Sequence, residues 1–130
     1  MHSATDLHRL ILEQAADALI YSNRDGLIEC WNTAASHLFG YSASQAIGQS
    51  LDLIIPPHLR AAHWAGYNAA LQHGQSKHHG KPMLTRAVHK DGHALYVEMT
   101  FALVKDANNY PIGAVAIARD GNDTHHKKAT

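Results

Sequence analysis

The sequence predicts an α+β fold, a five-stranded antiparallel sheet with helices gathered on one face. Its elements follow the order helix, two strands, several short helices, one longer helix and three strands, which is typical of this class. Asp-Gly pairs at residues 25–26 and 91–92 each separate two strand-like segments and favour tight hairpin turns. Within residues 93–105, apolar and more polar side chains alternate, so we expect one buried face and one partly wet face. The apolar positions are Leu95, Val97, Met99, Phe101 and Leu103.

Capping and turn residues set the boundaries of the predicted helices. Residues 5–17 form an amphipathic helix with its leucines and an isoleucine on one broad stripe. Asn32 or Thr33 suits the N-cap of a helix that ends near Gly40, because either side chain can accept hydrogen bonds from main-chain N–H groups. A shorter helical turn spans residues 42–48. The longest helix follows two prolines that suit a first turn, and it ends at a glycine. These residues are Pro56, Pro57 and Gly74.

Length and composition indicate one domain without a charged partner. The chain has 130 residues, and its eleven basic and eleven acidic side chains cancel, so no basic surface indicates nucleic acid. A single cysteine, Cys30, excludes an internal disulfide, and no segment suits a signal peptide or a membrane span. We therefore expect a cytoplasmic protein. Residues 1–17 form an N-terminal helix, 18–120 the domain itself, and 121–130 a tail or the start of a connector.

His63 is the residue of the longest helix that calls for a functional explanation. Helical spacing places it on one stripe with Leu59, Gly66 and Tyr67. The surrounding alanines and Gly66 would let a flat group approach the helix backbone. A neutral imidazole is a good iron ligand if its second nitrogen is held by an acceptor. The alternative is a core histidine that hydrogen-bonds a carbonyl. Trp64 lies on another helix face, where it is exposed or covers a dimer contact.

Several local motifs together resemble a PAS domain over nearly the whole chain. They are the Asp-Gly turn before IECWN, the FGYS of residues 39–42, IGQSLDLIIPP, HKDGHALYVEMTF and the terminal IGAVAIARD. Within that family, LRAAHWAGY resembles the helix of the haem-binding oxygen sensors of the FixL and DOS type. Their proximal iron ligand is a histidine in an R-x-x-H pair, here Arg60 and His63.

The resemblance implies a haem b site with His63 as the proximal ligand. It also implies contacts from Lys77 and His78 to the haem propionates, and a distal wall that includes Met99 and Phe101. The alternative for the two loop residues is a solvated polar loop. No N-C-R-F motif of the flavin-binding branch occurs, and the only cysteine lies on a predicted strand.

The residue type at position 83 differs from that found in the oxygen sensors. They carry an arginine eight residues before the Asp of the Asp-Gly turn, and here that position is Met83, with Arg86 three residues late. Met83 is either a sixth iron ligand or a flexible core filler, and Met99 competes for the same role. Because no charged donor reaches bound oxygen, we expect a preference for CO, NO or redox state.

The predicted function is a sensory input module that binds haem b and signals a diatomic gas or a redox change to an effector domain. We expect no enzymatic activity, since no catalytic triad, paired carboxylates or phosphate loop is recognisable. The alternatives are a PAS domain for another small molecule and a homodimerisation module whose residues 5–17 pair across a two-fold axis. The other histidines show no Cys/His zinc spacing, and a site from His73, His78 and His79 would be loose.

Overall fold

A computed structural model describes residues 3–76 and 79–122. It confirms the predicted five-stranded antiparallel sheet, whose spatial order is β2-β1-β5-β4-β3. The strands are β1 Ala18–Asn23, β2 Ile28–Trp31, β3 Met83–Val88, β4 Ala94–Lys105 and β5 Pro111–Asp120. The helices are α1 Ala4–Gln14, α2 Thr33–Phe39, α3 Ala43–Ala46 and α4 Arg60–His73, with 3₁₀ helices at Leu51–Ile54 and Pro57–Leu59.

The N-cap of α2 also joins that helix to the sheet. The buried Asn32 side chain accepts hydrogen bonds from the N–H groups of Ala35 (3.0 Å) and Leu19 (2.9 Å), and its amide donates to the Asp17 carbonyl (3.0 Å). One side chain therefore satisfies a helix N-terminus and the first residues of β1 together. At the other end Gly40 adopts φ 87°, as expected of a glycine after the last helical turn.

Strand β4 buries the face that its alternation predicts. Leu95 and Val97 belong to the core, whereas Met99, Phe101 and Leu103 are partly buried and pack against it. The core lies between this face of the sheet and the helices. Among the described residues, no helix is both long and apolar enough to cross a bilayer.

The N-terminal helix differs from its prediction in length and burial. It ends at Gln14 instead of residue 17, because Ala15 takes an extended ψ of 142° and leads into β1. Asp17 is already fixed at the sheet, where its carboxylate accepts from Arg119 at 2.7 Å. No residue of α1 is buried, and Leu7 and Ile11 are 50% and 59% exposed. The other described residues thus leave the apolar stripe of α1 uncovered.

Two smaller features concern the ends of other elements. The prolines open a 3₁₀ turn before α4, so that the α-helix itself begins at Arg60. At the C-terminal side, Gly121 N–H donates to the Tyr96 carbonyl at 2.7 Å, which continues the contact with β4 past the end of β5.

Candidate functional site

A cavity of about 990 Å³ lies between α4, the 3₁₀ helix at Leu51–Ile54 and the inner face of the sheet. This volume is at the upper end of the roughly 300–1,000 Å³ of small-molecule sites. All predicted site residues within the described part of the chain line it, namely Leu59, His63, Gly66, Tyr67, Met83, Met99 and Phe101. The two predicted propionate contacts, Lys77 and His78, lie outside the described residues.

Helix α4 presents its small residues to this cavity. Ala62, Ala65, Gly66 and Ala69 all line it, and all four are exposed. A methyl group added at Gly66 would meet no atom within 4 Å. The helix backbone is therefore accessible over a full turn beyond His63, which leaves room for a flat ligand against it.

The His63 ring stands at the edge of this open face with one unsatisfied nitrogen. Its Nδ1 atom is buried and has no hydrogen-bond partner among the described residues. A buried polar atom without a partner costs about 1–3 kcal/mol. Burial lowers the pKa of His63 from its ordinary value, and the nearby Asp52 carboxylate opposes this effect. The ring is thus neutral near pH 7, and at Nδ1 it lacks the bond expected of a satisfied core histidine.

Three rings form a row from α4 to β4, namely those of His63, Tyr67 and Phe101. Ring centroids are 5.7 Å apart for His63 and Tyr67 and 6.3 Å apart for Tyr67 and Phe101. The Tyr67 hydroxyl donates to the Asn23 carbonyl at 2.6 Å and lies 2.9 Å from Ser22 Oγ. Because these bonds tether its polar end to β1, Tyr67 offers its ring, and not its hydroxyl, to the cavity.

The wall opposite α4 carries two thioethers and no arginine in the expected place. Met83 and Met99 lie on neighbouring strands and both line the cavity. Arg86 also borders it, but its guanidinium lies 5.7 Å from the centre of the Tyr96 ring. Alternation along β3 places Arg86 on the opposite face of the strand from Met83.

Arg60 and Trp64 secure α4 to the preceding segment. The Arg60 guanidinium donates to the carbonyls of Ile55 (3.1 Å) and Asp52 (3.2 Å). Trp64 is half-buried, and its Nε1–H donates to Asp52 Oδ1 at 2.8 Å. The prediction of an exposed Trp64 is therefore wrong, whereas a dimer contact at this residue stays a prediction. The tryptophan packs within the domain because the hairpin turn at Gly26 lies directly above its ring.

Polar residues around the cavity were missed by the sequence prediction. They are Ser22, His73, Gln75, Ser76, Lys81 and Thr85. Alternation from Met83 could have identified Thr85, since both lie on the same face of β3. Ser22 lies on the buried face of β1 by the same alternation. The remaining four follow from how the end of α4 and the next loop turn back over the sheet, which no local pattern encodes.

Comparisons with known proteins agree with this architecture. The profile of the PAS fold family matches residues 7–121. A 48-residue segment is 42% identical to the sensor protein FixL of Bradyrhizobium diazoefficiens, and it covers 37% of this chain and 10% of that protein. A PAS domain from Colwellia psychrerythraea superposes with a TM-score of 0.76 at 26% identity, over 91% of this chain and 97% of that one. An RNA-binding light-oxygen-voltage receptor superposes with a TM-score of 0.75 at 18% identity, over 96% and 35%.

Proposed function

This chain belongs to the PAS family, and we propose that it is a sensory domain that binds haem b through His63. The observation that carries the proposal is the His63 ring, which borders an open apolar cavity with a buried and unpartnered Nδ1. The segment similar to FixL supports it. The other lining residues fit a porphyrin, because the small side chains of α4 leave its backbone uncovered.

Each wall of the cavity has a separate task in this proposal. The neutral imidazole of His63 would bind the iron, and Leu59, Gly66 and Tyr67 would hold the porphyrin. Lys77 and His78 would bind the propionates, and Lys81 lines the cavity. When bound, haem supplies an iron centre that takes up a diatomic gas or changes its redox state. Met83, Met99 and Phe101 limit what can approach it.

Signal output follows from the packing of the sheet. Met99 and Phe101 lie on β4, which pairs with both β3 and β5. In this proposal, a change at these two residues is passed to the central strands through β4. The effector is a domain or a partner signalling protein, and the PAS domain has a sensory, non-catalytic role.

A homodimer that uses α1 completes the proposal. Leu7 and Ile11 expose apolar surface on one side of this helix, which buries no residue of its own. Pairing across a two-fold axis would cover that stripe. Introducing negative charge into the stripe by the double substitution Leu7→Glu/Ile11→Glu should yield a monomer in sedimentation. A dimer that survives it would exclude this contact.

The absorption spectrum of the purified protein with added hemin tests the proposal. We expect a strong Soret band that His63→Ala abolishes. The matched control is His58→Ala, because His58 is exposed on the 3₁₀ turn before α4 and does not line the cavity. A wild-type protein that stays colourless, or a Soret band that His63→Ala leaves unchanged, contradicts haem ligation by His63.

A second variant tests whether the porphyrin lies in the open space beside α4, separately from iron ligation by His63. Gly66→Leu places a large side chain in the open space beside His63 and should weaken hemin binding at least tenfold. The same change should leave folding intact, since leucine is a better helix former than glycine by about 0.8 kcal/mol. A thermal unfolding curve separates the two effects. Unchanged hemin affinity in a folded variant would mean that the porphyrin does not lie against α4.

A further inference from the structure

The turn between β3 and β4 brings together three side chains with metal-ligating atoms. Ligand atoms of His89, Asp91 and His93 all lie within 4.8 Å of one another. His89 Nδ1 is 3.3 Å from Asp91 Oδ1, and His93 Nδ1 contacts the same oxygen. The two imidazole rings stack with centroids 4.5 Å apart and an interplanar angle of 17°. Histidine spacing along the chain predicted no metal site here, because it is the hairpin turn that aligns these rings.

The cluster has the chemistry of a zinc site. Zinc bonds of about 2.0–2.1 Å in a tetrahedron place neighbouring ligand atoms roughly 3.3–3.4 Å apart. The separation between His89 Nδ1 and Asp91 Oδ1 already matches this spacing. The Asp91 carboxylate also accepts a hydrogen bond from the His93 N–H at 3.0 Å, which keeps it beside both imidazoles. Carboxylate oxygens and imidazole nitrogens are ordinary ligands of zinc.

The turn is held in place before any ion arrives. His89 N–H donates to the His93 carbonyl at 3.0 Å, and Lys90 N–H donates to the Phe39 carbonyl at the end of α2 at 2.9 Å. A methyl group added at Gly40 would lie 2.5 Å from Cε1 of His89, so the ring packs directly on that glycine. The turn that carries the three ligands is thus held together by its own main-chain bond and anchored to α2 through Lys90, which reduces the entropy lost on binding.

We propose that His89, Asp91 and His93 form a site for a divalent transition metal, with zinc as the cation, that cross-links the turn of the β3–β4 hairpin. Three protein ligands leave one tetrahedral position for water or for a side chain of a partner. The site shares no residue with the cavity at His63. It is therefore independent of haem.

Titration of the haem-free 130-residue chain with zinc, followed by calorimetry, tests the site. We expect one ion with micromolar affinity, and a rise in Tm of about 5 °C or more when zinc exceeds its Kd a hundredfold. His89→Ala and His93→Ala should each weaken binding at least tenfold, and Asp91→Asn should weaken it to a smaller extent. The matched control is His8→Ala, because His8 is exposed on α1 away from the hairpin, and it should bind as the wild type does.

Two further variants distinguish this site from others in the chain. The double substitution His125→Ala/His126→Ala removes the histidine pair near the C-terminus, and His63→Ala removes the proposed haem ligand; zinc affinity should be unchanged in both. Cobalt in place of zinc should give visible absorption bands that the hairpin variants lose. Zinc binding that persists in the His89→Ala/His93→Ala double variant, or that depends on His125 and His126, overturns the proposal.

Discussion

Met83 and Met99 lie directly opposite each other in the antiparallel pair of β3 and β4, and both face the cavity. Side chains opposite each other in such a pair have Cβ atoms about 4.5–5.5 Å apart, so either thioether reaches much of the same space. They differ in environment, since Met83 is 42% exposed at the start of its strand and Met99 is partly buried in the middle of β4. The side chains of Met83 and Met99 therefore supply the two sulfur atoms on the cavity wall opposite the helix that carries His63.

The first prediction assigns the sixth iron ligand within this pair. If Met83 is the ligand, Met83→Leu converts a low-spin ferrous spectrum to high-spin, because leucine keeps the volume and removes the sulfur donor. Met99→Leu is the matched control and should leave the low-spin spectrum intact. The reverse result assigns the role to Met99. High-spin wild-type iron would show that neither sulfur is bound.

The second prediction concerns oxygen. Met83 stands where the oxygen sensors carry an arginine, so the wild-type ferrous protein should bind CO or NO and autoxidise quickly in air. Met83→Arg adds a charged donor, and a hydrogen bond of that kind contributes about 1.5–3 kcal/mol, or roughly tenfold to a hundredfold in the oxygen dissociation constant.

Met83→Leu is again the control for this measurement, since it removes the thioether without adding a donor. Oxygen affinity and the lifetime of the oxygen complex should rise in Met83→Arg relative to Met83→Leu. A wild-type oxygen complex that persists without autoxidation would contradict the prediction.

The third prediction concerns the turn above Trp64. A Cβ at Gly26 would lie 2.2 Å from Cη2 of that indole, and Gly26 has φ +75°. Gly48 has a similar φ of +90° with no atom within 4 Å of its added Cβ. Gly48→Ala should lower the free energy of unfolding by about 1–2 kcal/mol from the backbone alone. Gly26→Ala should lose about 1–3 kcal/mol more, since the indole must shift.

Urea denaturation of both glycine variants measures the difference. A parallel Trp64→Leu background relieves the clash, so Gly26→Ala there should have only the backbone effect. Equal losses in the two alanine variants of the otherwise unchanged protein would mean that Trp64 moves freely. In that case its hydrogen bond to Asp52 contributes little to stability.

These results also show which features the sequence could predict. The sheet, the inner face of β4 and the capping by Asn32 follow from local patterns, namely strand alternation and side chains that bond the nearby main chain. Helical spacing is also a local pattern, and it places His63 on one stripe with Gly66. Trp64 and His89 depend instead on contacts with residues distant in sequence, Asp52 and Gly26 for the first and Gly40 for the second. Such contacts leave no periodic signal in the chain.

The last prediction uses the buried state of His63 in the haem-free protein. Burial lowers the pKa of His63 below its ordinary value of 6.5. As pH falls through 6.5, the unfolded chain therefore binds a proton at this position that the folded chain does not. The free energy of unfolding decreases over the window between 6.5 and the lower folded-state pKa, and this group causes no further loss below it.

His63→Leu removes this proton and should flatten the dependence of stability on pH in that window. His58→Leu changes an exposed histidine two residues after Pro56 and should keep the wild-type slope. Urea unfolding at pH 7.5 and 5.5 provides the comparison for all three proteins. The negative charge of Asp52 acts against the shift, so Asp52→Asn should steepen the wild-type slope. A His63→Leu slope equal to that of the wild type would mean that the imidazole titrates as it does in water, and that its ring is not held neutral for a ligand.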